Sequence, residues 1–107
     1  MEFNINNETW NVVYVSPTHP MLYRVSSGDY TLGSCDDNYK TIYLNNTLKG
    51  RLLKKVLCHE VAHAAMFSYH IFLSYEQEEL VADLIATYGD EIISITNKIF
   101  NKLKLGY

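Results

Sequence analysis

Apolar residues change their spacing part-way along the chain. Between residues 10 and 44 they come in short runs rich in β-branched and aromatic side chains, whereas from residue 48 onward they recur every three or four positions. Residues 10–16 stop at Pro17 and predict a first strand, followed by an irregular segment containing Pro17 and Pro20. Residues 30–35 and 39–44 predict two further strands joined by the polar turn Asp36-Asp37-Asn38, so this pair should form a hairpin. Its second arm alternates, with Tyr39, Thr41 and Tyr43 on one side and Ile42 and Leu44 on the other.

The helical part begins after Asn46 or Thr47, either of which can cap a helix running to about residue 69. Leu52, Leu53, Val56, Leu57, Val61, Ala64, Ala65 and Phe67 repeat at helical spacing there, with no Pro to interrupt them. Ser74-Tyr75-Glu76-Gln77 has the form of a capping box and opens a second helix, which should end at residue 88 because Gly89 follows. Asp90 then caps a third helix carrying Ile92, Ile95, Ile99 and Leu103, with Lys98, Lys102 and Lys104 toward its C-terminal end. The pattern predicts an α+β fold: a small antiparallel three-stranded sheet followed by about three helices.

At 107 residues and 48% hydrophobic content the chain suits one domain with one ordinary core, spanning residues 1–107. A net charge of −3 with scattered Lys and Arg offers no basic patch for a phosphate backbone, so nucleic acid is not an expected partner. Residues 1–7 carry no apolar run of the kind a signal segment needs, and no apolar run approaches the roughly 20 residues needed to span a bilayer; a cytoplasmic protein with no membrane partner is expected. Cys35 and Cys58 read as structural free thiols, with Cys35 alone near enough to the hairpin turn to approach a metal as an inhibitory ligand.

Chemistry enters with His59-Glu60-Val61-Ala62-His63, an H-E-x-x-H run inside the first predicted helix. Residues four apart on a helix share a face, so both imidazoles can reach one ion, and Glu60 stands one step aside to act on a bound water. A catalytic zinc takes three protein ligands and leaves the fourth position to water, so a third ligand is required. The extended motif that ends in a third His is excluded, because position 66 is Met instead of Gly and position 69 is Tyr instead of His. His70 lies about 10 Å further along the axis than His63 and should be exposed or at the rim.

The second helix offers Glu76, Glu78 and Glu79. Glu79 is the expected ligand: it shares a face with Asp83, and Ala82 and Ala86 on that side would allow close approach to the motif helix. Asp83 would accept the free ring N–H of His59 and fix its tautomer. Glu76 and Glu78 read as acids that complement a helix dipole. Glu60 is the expected general base, and Tyr39, Tyr75, Tyr88 or His70 could assist a developing oxyanion.

With these pieces in place the chain resembles a minimal gluzincin, sharing the H-E-x-x-H helix followed by a Glu helix with an Asp four later. It is similar in more detail to the small ImmA/IrrE-type metallopeptidases of phages and integrative elements, through Leu32-Gly33-Ser34-Cys35-Asp36, Thr41-Ile42-Tyr43-Leu44, Leu57 to His63 and Glu78-Glu79-Leu80-Val81-Ala82-Asp83. The resemblance covers residues 30 to 90 and implies a zincin-like core with Zn²⁺ on His59, His63 and Glu79 and Glu60 as base. It also implies an intracellular endopeptidase acting on a protein or peptide, a transcriptional repressor among the candidates, with the 31–44 hairpin pairing to extended substrate. No DNA-binding or sensor segment of the larger members is recognisable here. Two other readings share the motif: a non-catalytic zinc-binding partner protein derived from a peptidase fold, and a hydrolase of non-peptide amides.

Overall fold

Phe3 and Ile5 alternate with Glu2 and Asn4 ahead of Asn6-Asn7. In a computed structural model of the chain, which describes residues 1–106, they form β1 (Glu2–Ile5), paired antiparallel with β2 (Glu8–Val15). Asn6 and Asn7 have φ of 48° and 62°, the left-handed pair that a two-residue hairpin turn demands and that Asn bears better than most residues. The chain then passes through a 3₁₀ turn at Pro20–Leu22 and a two-stranded ribbon of β3 (Tyr23–Arg24) and β4 (Asp29–Tyr30). The hairpin of β5 (Gly33–Asp36) and β6 (Thr41–Asn45) follows, its arms starting three and two residues later than expected and each ending one residue later.

β6 lies beside β2 in parallel, with Val12 opposite Ile42 and Tyr14 opposite Leu44, so the sheet order is β1-β2-β6-β5. The sheet is therefore mixed and four-stranded, where three antiparallel strands were expected. Two physical facts account for the difference. β1 is short and half polar, and the stretch 16–32 crosses from the end of β2 to the far edge of the sheet, where β5 runs back antiparallel and β6 returns between them in the direction of β2.

Two helices follow instead of three. Helix α1 (Gly50–Ser68) starts later than expected, and neither Asn46 nor Thr47 caps it: Asn45 Oδ1 accepts from the backbone N–H and the hydroxyl of Thr47, at 2.8 and 2.6 Å, closing a turn ahead of the helix. Its C-terminus is a Schellman stop, in which His70 takes φ 56°, its N–H bonds to Phe67 O, and the N–H of Ile71 bonds to Met66 O at 2.9 Å. The capping box at Ser74 and Gln77 forms as expected and starts α2 (Tyr75–Lys104). That helix runs straight through Gly89, which costs about 1 kcal/mol relative to Ala but does not break it, and Asp90 pairs with Lys54 at 2.8 Å instead of capping a new helix. No helix is long and apolar enough to cross a membrane among the described residues.

Trp10, Ile42, Leu44, Leu48 and Ala64 form the core between sheet and α1, with Val56, Leu57 and Phe67 packed against them. The Trp10 ring stacks between Phe3 and Phe67, and its Nε1 donates to the buried Ser68 hydroxyl at 2.8 Å, so the sheet is tied to the end of the motif helix. A second cluster of Ala62, Met66 and Ala82 lies between α1 and α2, where small side chains let the two helices approach.

Candidate metal centre

α1 and α2 run antiparallel and bring four carboxylates of α1 and α2 around two imidazoles. His59 Nδ1 lies 2.9 Å from Asp83 Oδ1, and His63 Nδ1 lies 2.6 Å from Glu78 Oε1. Each carboxylate can accept the Nδ1 proton, which fixes both rings in the tautomer that leaves Nε2 bare. The two Nε2 atoms then face one another at 3.1 Å, and Glu79 closes the group, 2.8 Å from His63 Nε2 and 3.3 Å from His59 Nε2.

With each Nδ1 as the donor, three lone-pair atoms face one another, and a cation at their centre would relieve their repulsion. Ligand atoms roughly 2.0–2.1 Å from one tetrahedral ion stand about 3.3 Å apart, and the three distances here, 2.8, 3.1 and 3.3 Å, reach that separation or need only small side-chain shifts to open to it. Imidazole and carboxylate are also the donors that suit zinc. The trio His59, His63 and Glu79 therefore fits a divalent cation.

Glu60 is buried on the β5 side of α1, and its carboxyl lines two clefts that meet at the site, together with Arg24, Thr31 and Glu79. Burial pushes the Glu60 carboxyl above the ordinary carboxylate value, while the His59 and His63 rings pull the other way. Gly33 of β5 makes room for it. A Cβ there would stand 2.8 Å from Val56 Cγ1, 3.2 Å from Glu60 Cγ and 3.3 Å from Glu60 Oε2, so only a glycine lets the strand lie this close to α1.

The structure brings together His59, Glu60, His63, Glu79 and Asp83, all singled out from the sequence. The Asp83 side chain is 67% exposed yet lies 2.9 Å from His59 Nδ1. Of the four expected oxyanion helpers only Tyr75 lines the cleft, where its hydroxyl accepts from Arg24 Nη1 at 2.8 Å. Tyr39 and Tyr88 are exposed elsewhere, and His70 serves as the α1 stop. Cys35 lines the same cleft but is not among the converging ligands, and burial raises its thiol pKa well above the usual range.

Two residues of the site escaped the sequence reading. Glu78 reads in the sequence as a helix-dipole acid, yet it holds His63 as Asp83 holds His59. The signal was present in the antiparallel register: moving four residues forward on α1, from His59 to His63, moves four or five back on α2, from Asp83 to Glu79 or Glu78. Arg24 had no signal, because it arrives from a two-residue strand outside any recognisable motif. No protein-family model, curated protein or solved structure matches the chain.

Proposed function

We propose that the protein is a zinc-dependent endopeptidase of the gluzincin kind, similar in its site to the ImmA/IrrE-type metallopeptidases, cleaving an extended segment of a protein partner such as a transcriptional repressor. The observation that carries this reading is the pairing of each Nδ1 with a carboxylate, which aims both Nε2 atoms and Glu79 at one point. His59, His63 and Glu79 would hold the ion, which when bound supplies a Lewis acid that acidifies a water and polarises a carbonyl. Glu60 accepts the proton of the attacking water and delivers it to the leaving nitrogen. Arg24 and Tyr75, joined at 2.8 Å on the cleft wall, offer donors to the oxyanion of the tetrahedral carbon.

Gly33, Ser34 and Cys35 of β5, the terminal strand of the sheet, line the clefts on either side of Glu60 and give an extended substrate backbone a place to lie. A cytoplasmic setting belongs to the same proposal, with both cysteines as free thiols. Glu60 favours an enzyme over a non-catalytic zinc protein, since a purely structural ion has no use for a buried carboxylate beside its ligands.

The test is zinc-loaded wild type against Glu60→Gln on a quenched-fluorescent peptide library. Wild type should cleave, and the variant should hold the same zinc while losing at least about 100-fold in rate. Equal rates, or no cleavage by a wild type carrying one zinc per chain, would remove the peptidase reading.

A further inference from the structure

α2 outruns the helix it packs against. Lys54, the fifth residue of α1, meets Asp90 at 2.8 Å, so the last residues of α2 extend past the beginning of α1. This part of α2 is strongly amphipathic. Ile85, Tyr88, Ile92, Ile95 and Ile99 alternate at steps of three and four and are 41–54% exposed, an uncovered seam of the spacing that coiled coils use. A contiguous apolar stripe of this length on a surface helix marks an interaction site.

Charge says which partner fits. Glu91 and Lys98 flank the seam on the same side, one heptad apart and opposite in sign. In a parallel pair of copies Glu91 would stand beside the partner's Thr96 and Lys98 beside the partner's Leu103, so neither charge would meet an opposite one. In an antiparallel pair, related by a two-fold axis near residues 93–94, Ile92 layers against the partner's Ile95 and Tyr88 against the partner's Ile99. The same register sets Glu91 of each copy beside the partner's Lys98, twice by symmetry.

We infer that this face binds a second copy of the chain, the two α2 helices pairing antiparallel across the seam from Tyr88 to Ile99. The inference goes beyond the proposed peptidase activity and does not depend on it, because the carboxylates that reach His59 and His63 all precede the seam.

Sedimentation velocity on the zinc-loaded full chain, from about 1 to 200 µM, tests it. The mass should rise with concentration from 12.4 kDa toward twice that value. Ile95→Glu, at an exposed position that leaves the body intact, should weaken association at least about 100-fold while circular dichroism and zinc uptake stay unchanged. Glu91→Lys and Lys98→Glu should each weaken it about 10-fold, and the double variant should recover, since the swap restores both cross-pairs. A monomer at every concentration overturns the inference, as does a dimer indifferent to Ile95→Glu or a charge swap that fails to recover. A monomer whose Ile95→Glu variant loses binding to phosphatidylserine vesicles would assign the stripe to a lipid surface instead.

Discussion

Gly33→Ala tests how the sheet positions Glu60, the general base of the proposed reaction. The added methyl would sit 2.8 Å from Val56 Cγ1 and 3.2 Å from Glu60 Cγ, against ordinary carbon contacts of about 3.5–4.0 Å, so strand and helix must part by several tenths of an ångström or Glu60 must turn away. Overpacking of this kind costs about 1–3 kcal/mol. For a domain of this length that lowers the melting midpoint by at least about 4 °C. The effect on turnover should be larger, because a displacement near 1 Å in a catalytic group costs on the order of 100-fold. The three atoms nearest the methyl belong to Val56 and Glu60, not to His59, His63 or Glu79, so zinc affinity should change little. Zinc titration, thermal melts and peptide cleavage on one preparation separate the three quantities. Val56→Ala added to Gly33→Ala should relieve the closest contact and restore part of the rate. Unchanged cleavage in Gly33→Ala would refute the idea that β5 fixes Glu60, and a parallel loss of zinc would show that the strand supports the ligands instead.

Glu78→Gln should lower zinc affinity about 10–100-fold, as loss of a carboxylate behind a ligating imidazole does, and more than Asp83→Asn, because Glu78 is 19% and Asp83 67% exposed; competition with a zinc chelator measures both. Ser68→Ala strands the buried Trp10 Nε1 and should cost about 1–3 kcal/mol in urea unfolding, whereas a change below 0.5 kcal/mol, roughly the noise of surface substitutions, would show the bond to be dispensable. Lys40 bridges Asp37 at 3.1 Å and Glu8 at 3.2 Å, and these bonds raise its ammonium above the ordinary lysine value of 10.5. A pKa raised on folding contributes stability that is whole below the unfolded value and disappears as pH rises through the folded one. Melts of the wild type should therefore lose ground to Lys40→Met above pH 10.5, and identical alkaline limbs would contradict this.

Periodicity made α1 and the start of α2 legible, since eight apolar positions at helical spacing and a capping box each state one structure. The metal trio followed from the same periodicity, because His59 and His63 are one turn apart and Glu79 leads Asp83 by the same step. What stayed hidden was set by tertiary contacts. β1 is a four-residue strand whose turn depends on two left-handed asparagines, and the parallel pairing of β2 with β6 rests on a crossover that no local pattern announces. Gly89 carried a stop signal that the surrounding helix overrode. Glu78 could be placed only once the register of α2 against α1 was known, and Arg24 only once the small ribbon had folded over the cleft.

The convergence of His59, His63 and Glu79 on one ion is tested most directly by an anomalous difference map at the zinc edge from crystals grown with zinc. One peak should appear, within about 2.0–2.2 Å of both Nε2 atoms and a Glu79 oxygen, with no fourth protein ligand. A peak on other side chains, a fourth protein donor such as Cys35, or no peak at a saturating zinc concentration would contradict it.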